Sequence, residues 1–148
     1  MGVAVPRPRY NEMTGLRLYK YEKLCSRTSI NRLFREGDST GAFPLRVVYR
    51  LHEPQGEAPV RFLITIPKKK MRRAVWRVLL RRRTREAYRL NRHLLYPTLT
   101  TAGMAADLAF LYIGTSHCAY SVIEQAITTL LQRVAEHARQ SALDSQQP

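Results

Sequence analysis

The side chains best equipped for chemistry in this 148-residue chain are cations, and they are concentrated in one run. Lys68, Lys69, Lys70, Arg72, Arg73, Arg77, Arg81, Arg82, Arg83, Arg85, Arg89 and Arg92 follow closely on one another, opposed there by Glu86 alone. Like charges at that density repel, so a folded chain keeps them only where they face water or a polyanion. Guanidinium groups stay charged at any cellular pH and donate paired hydrogen bonds to phosphate oxygens. The chemistry indicated is phosphate recognition, and with a formal net charge of +14 the leading partner is a nucleic acid.

Groups suited to acid–base or covalent catalysis show no such concentration. The 11 acidic residues are dispersed, and His52, His93, His117 and His137 stand apart, whereas a protein nuclease needs clustered carboxylates or a positioned His. Cys25 and Cys118 lack the close Cys or His companions of a zinc site and read as reduced structural thiols. Glu36, Asp38 and Glu86 are available to a metal but form no cluster, so neither a catalytic residue nor a protein metal ligand is assigned. No stretch reaches the roughly 20 apolar residues of a membrane span. The start, Gly2-Val3-Ala4-Val5 followed by Pro6-Arg7-Pro8-Arg9, lacks the apolar core of a signal peptide. A cytoplasmic protein with no membrane partner is expected.

The cations need an element to hold them, and their spacing names it. Arg77, Arg81, Arg85 and Arg89 recur at i, i+4, and Arg92 falls in the same arc, which makes a stripe on a helix over residues 73–92. Trp76, Leu79, Leu80, Ala87 and Leu90 form the apolar face by which this helix docks on a sheet. Ahead of it, residues 1–22 are rich in Pro, Arg and Tyr and read as an extended or disordered arm. Leu24, Ile30, Leu33 and Phe34 predict a short helix, capped by Ser26, Thr28 or Ser29 and stopped at Gly37. Gly37 to Gly41 reads as a turn, and strands are expected between Phe43 and Leu51 and between Val60 and Ile66. After the basic helix come a loop from Pro97 to Gly103 and a buried strand from Asp107 to Ile113. A last helix opens on a Ser121/Glu124 capping box and carries Ile123, Ile127, Leu130, Leu131 and Val134 on one face. Residues 140–148 read as a disordered tail. Helix, strand, strand, helix, strand, helix predicts a single small α/β domain, an α+β sandwich around a central sheet over residues 23–139.

The string from Ile66-Pro67-Lys68-Lys69-Lys70-Met71-Arg72-Arg73-Ala74-Val75-Trp76-Arg77 through Arg81-Arg82-Arg83-Thr84-Arg85-Glu86-Ala87-Tyr88-Arg89 resembles the signature of the bacterial ribonuclease P protein subunit. Arg32-Leu33-Phe34-Arg35-Glu36-Gly37 resembles the end of that family's first helix, and the likeness runs from about Lys23 to Arg139. One departure is clear. Val78 stands where the family usually has Asn, inside the basic stripe, so a hydrogen bond made by that Asn is not carried over.

The resemblance implies a central sheet with the basic helix in a crossover of left-handed sense, against the right-handed habit of parallel connections. It implies a subunit of an endoribonuclease that binds a catalytic RNA and the 5′ leader of precursor tRNA and assists leader removal, with no further protein partner required. The chemistry would belong to the RNA, with Mg2+ held mainly by that RNA. RNA contacts are expected from Lys68, Lys69, Arg72, Arg73, Arg77, Arg81, Arg82, Arg85 and Arg89. Arg83 points to the apolar side and snorkels. Ile30, Phe34 and Tyr49 are the leader-cleft candidates by resemblance, core packing being the alternative for all three. The rival function is a non-enzymatic ribosomal or ribosome-assembly RNA binder, because a basic helix on a small sheet is shared by several such proteins.

Overall fold

A computed structural model describes Leu18, residues 22–54 and residues 59–146. In chain order it has α1 (Arg27–Glu36), β1 (Asp38–Ala42), β2 (Leu45–His52), β3 (Val60–Thr65), α2 (Ala74–Asn91), a 3-10 turn at Arg92–Leu94, α3 (Tyr96–Ala102), β4 (Ala105–Tyr112) and α4 (Tyr120–Gln146). The strands form one sheet in the order β1-β2-β4-β3. β2 runs antiparallel to β1 and β4, and β3 runs parallel to β4. α2 and α3 make up the crossover that a parallel pair requires. The basic helix is thereby set over the β3 side of the sheet.

Strand alternation sorts every side chain to one of two faces. Leu45, Val47 and Tyr49 of β2, Val60 and Phe62 of β3, and Ala106, Leu108, Phe110 and Tyr112 of β4 share the main core with Leu80, Ala87 and Tyr88 of α2, Leu99 of α3 and the apolar face of α4. Among the described residues, the other face meets α1 and the segment just before it, through a small cluster of Leu24, Leu33 and Ala109 with Ile30, Val48 and Leu63 packed around it. Leu33 is the one fully buried residue of α1, an anchor of about 1.5–3 kcal/mol. One face is a core, and the other is thinly roofed. Gly37 makes that roof possible, since a Cβ there would sit 2.8 Å from the Tyr49 carbonyl oxygen and nearer still to that of Leu33.

The α/β sandwich expected from the sequence is present, with two further elements. β1 lies in the segment read as a turn; Asp-Ser-Thr-Gly-Ala carries no apolar alternation, and its pairing is supplied by the open edge of β2. α3 replaces the expected loop, because Pro97 lies in its first turn, where a missing N–H costs nothing. Gly103 closes it at φ 68°, the left-handed conformation that glycine adopts freely. The tail expected from residue 140 is helical through Gln146, in a stretch of helix formers free of Gly and Pro. The Ser121/Glu124 box is not made: α4 starts at Tyr120, and the Glu124 carboxylate accepts instead from the Tyr120 hydroxyl at 2.7 Å and Asn91 Nδ2 at 3.3 Å. Most of the expected arm, 1–22, lies outside the described residues. Its end does not: Glu22 is fully buried and belongs to the fold.

Candidate nucleic-acid interface

α2 matches the predicted helix to within a residue at each end, Ala74–Asn91 against 73–92. Its core face is centred on Leu80, Thr84, Ala87 and Tyr88. Trp76, Leu79 and Leu90 lie toward the flank, half-buried. Around this axis the arginines part company. Arg81, Arg82 and Arg85 are exposed, and among the described residues no acid or carbonyl holds them. Arg81 and Arg85 line a groove of about 200 Å³ with Lys23, Cys25 and Leu63, along the outer edge of β3. Arg77 bends back to donate to the carbonyls of Met71 at 2.9 Å and Arg72 at 2.7 Å, so it braces the loop leading into the helix.

Arg89 is held by Glu86 through two hydrogen bonds, Nε to Oε2 at 3.1 Å and Nη2 to Oε1 at 2.5 Å. That pairing pulls the Glu86 carboxyl below its ordinary range. Arg83 donates to the Cys118 carbonyl at 2.6 Å, toward α4, as its position on the apolar side predicted. Arg92 leaves the predicted stripe altogether. It is 5 % exposed and meets Glu22 Oε1 at 2.5 Å, which also accepts from the Tyr96 hydroxyl at 2.7 Å. Lys68, Lys69, Arg72 and Arg73 are exposed in the turn and loop before α2. Val78 is 53 % exposed, an apolar side chain on the solvent side of the basic helix.

The sheet face under α1 is a second cationic surface. Strand register sets Arg50, Asp107 and Arg61 in one row across β2, β4 and β3, then Val48, Ala109 and Leu63, then Arg46, Leu111 and Thr65. α1 covers the middle row, leaving arginine in the rows on either side. Asp107, 5 % exposed in the central strand, also meets His52, whose Nε2 lies 3.3 Å from Oδ1 while Nδ1 lies 2.6 Å from the Glu53 carbonyl oxygen. Both ring nitrogens face acceptors, which favours the protonated ring. The Asp107 hydrogen bond raises the His52 pKa, against the opposing pull of burial.

Of the three expected leader-cleft residues, two come together. Ile30 packs half-buried between α1 and the sheet, and Phe34 is 47 % exposed at the far end of α1. Tyr49 does not join them. It has the parity of Leu45 and Val47, is 7 % exposed on the opposite face, and its hydroxyl lies 2.6 Å from His137 Nδ1 of α4. Burial, with the nearby charge of Asp38, raises its pKa. Its neighbour Val48 occupies the α1 side instead. Arg46, Arg50 and Arg61 were missed by the sequence reading, although period two gives the signal: they alternate with the strand residues that enter the core.

A sheet face with arginine rows under α1 and a basic helix along one edge define an α/β nucleic-acid-binding domain. The comparisons carry this further. The family model for Ribonuclease P matches residues 18–135. The ribonuclease P protein component of Porphyromonas gingivalis is 39% identical over 129 residues, covering 87% of this chain and 94% of that protein. That of Chlorobaculum tepidum is 37% identical over 93 residues, 58% of this chain and 60% of that protein. The solved RNase P protein from Thermotoga maritima shares the fold at a TM-score of 0.59 and 21% identity, covering 75% of this chain and 96% of that one. The chain belongs to the Ribonuclease P family, as a protein component partnered with the ribonuclease P RNA and acting in tRNA processing. The ribosomal alternative is not favoured. None of the described helices is long and apolar enough to cross a membrane.

Proposed function

We propose that the two cationic surfaces divide the RNA between them. Arg81, Arg82 and Arg85, with Lys68, Lys69, Arg72 and Arg73, grip phosphates of the ribonuclease P RNA; Arg77 and Arg89, already engaged within the protein, contribute field more than contact. The α1 face receives the 5′ leader of precursor tRNA, with Phe34 as a flat surface for a base and the exposed Arg46 beside the backbone, while Arg50, paired with Glu36 at 3.5 Å, and Arg61 add to the field. The observation that carries this reading is the exposed Phe34 on a helix lying between two arginine-bearing rows. Bond cleavage belongs to the RNA. Magnesium enters as its ligand, because such ions take phosphate oxygens and keep several waters, while the described residues bring no three His, Cys, Asp or Glu side chains together. The protein binds and orients substrate, in the cytoplasm.

The test is reconstitution with ribonuclease P RNA at low magnesium, measuring release of the leader. The wild-type chain should stimulate cleavage; no stimulation would overturn the reading. Phe34→Ala should weaken binding of leader-bearing precursor about tenfold, the scale of one lost base stack, and leave mature tRNA unaffected. Equal losses would remove Phe34 from the leader site.

A further inference from the structure

On the flank of α2 turned away from Arg81 and Arg85, Trp76 and His117 stack face to face, their ring centroids 4.0 Å apart and their planes 4° from parallel. Trp76 is half-buried against the main core, so the lower ring is fixed. His117 is exposed. Its loop is tied at both ends to the basic segment: Lys70 Nζ donates to the Ile113 carbonyl at 3.0 Å, and Arg83 Nη1 donates to that of Cys118. Within the loop, the Tyr112 hydroxyl donates to the Ser116 carbonyl and accepts from the Cys118 N–H at 3.1 Å. The upper ring is therefore held in place by a braced loop. Lys68, Lys69, Arg72 and Arg73 lie exposed just before Trp76. The acids closest along α2 and α4 are engaged elsewhere, Glu86 with Arg89 and Glu124 with Tyr120 and Asn91.

A pair of stacked rings with an exposed outer member, beside a segment of exposed cations that leads into Trp76, suits a flat ligand that carries negative charge. A nucleotide has both properties, since any base offers a π-face and every link adds a phosphate. Building on the RNA-binding reading above, we propose that Trp76 and His117 form a base-stacking platform on which an unpaired nucleobase of the ribonuclease P RNA lies against His117, its phosphate met by the Lys68–Arg73 segment. The catalytic RNA, not the leader, is the occupant because α1 and α2 lie on opposite faces of the sheet. A leader seated under α1 is on the other side of the molecule.

Trp76 is the single tryptophan of the chain, so its emission reports on this site. The full-length protein is titrated with ribonuclease P RNA, and separately with precursor tRNA, in wild-type, His117→Ala, His117→Phe and Arg81→Ala forms. RNA should quench Trp76 in the wild type. His117→Ala should weaken ribonuclease P RNA binding about tenfold, and His117→Phe, which keeps a flat ring and loses the imidazole, should retain wild-type affinity. Wild-type affinity for His117→Ala, or equal loss for Ala and Phe, would overturn the platform while the Arg81→Ala loss left RNA binding standing. A loss confined to precursor tRNA would overturn the choice of partner. Failure of the wild type to bind ribonuclease P RNA would overturn the RNA-binding reading itself.

Discussion

Arg81 and Arg92 come from the same basic run and carry the same side chain, yet one faces solvent beside an open groove and the other is sealed against Glu22 and Tyr96. What separates them is a buried acid. Glu22 is fully buried, and a carboxylate removed from water needs a cation and hydrogen bonds to offset its lost hydration. Arg92 and Tyr96 supply both, with Tyr88 extending the network at 3.0 Å from the Tyr96 hydroxyl. Arg92 thus joins the segment before α1 to the end of α2, while Arg81 remains available to phosphate. Charge density counts cations; it does not say which of them are spent inside the fold.

The sharpest way to break this contrast is at the buried pair. Arg92→Ala should lower folding stability by about 3–5 kcal/mol, because it leaves the Glu22 carboxylate buried without its cation. The urea midpoint measures this, and the salt dependence of RNA binding should not change. A full loss of RNA affinity at unchanged stability would mean that Arg92 reaches RNA after all. At the exposed end, Arg81→Ala and Arg85→Ala should each reduce the slope of log affinity against log salt by roughly 0.7–0.9, with no shift in Tm. An unchanged slope with a lower Tm would make them structural and erase the distinction.

The smallest effect concerns His52, whose Nε2 lies 3.3 Å from the buried Asp107 carboxylate. Its folded-state pKa is raised above the ordinary 6.5, chiefly by the Asp107 hydrogen bond. A raised value means the contribution is complete below the unfolded pKa and fades as pH rises through the folded one. His52→Asn should therefore lower the urea midpoint more at about pH 6 than at about pH 8.5. A pH-independent His52→Asn loss would show that the ring acts by packing and not by charge.

Much of the fold was readable in local pattern. Helical period placed α2 to within a residue, and alternation placed β2 and β3. β1 and α3 were missed because their sequences resemble turns, and their stability comes from neighbours: the edge of β2 for one, the burial of Tyr96 and Leu99 for the other. The site was half legible. Phe34 and the exposed arginines lie on accessible surfaces, whereas Tyr49 falls on the core side of a strand whose alternation already carried that information. Arg46, Arg50 and Arg61 went unnoticed because each is solitary along the chain and joins a surface only when three strands come into register.

By itself the sequence determined the class of partner, the basic helix and the family, because charge density, 3.6-residue and two-residue periods and a dense motif are all local properties of the chain. Only the tertiary structure decided which cations face outward. Glu22 and Arg92 are 70 residues apart, Tyr49 and His137 are 88, and Trp76 in the crossover meets His117 beyond the end of β4. No local pattern encodes such pairings, since each exists only once the sheet has gathered its helices.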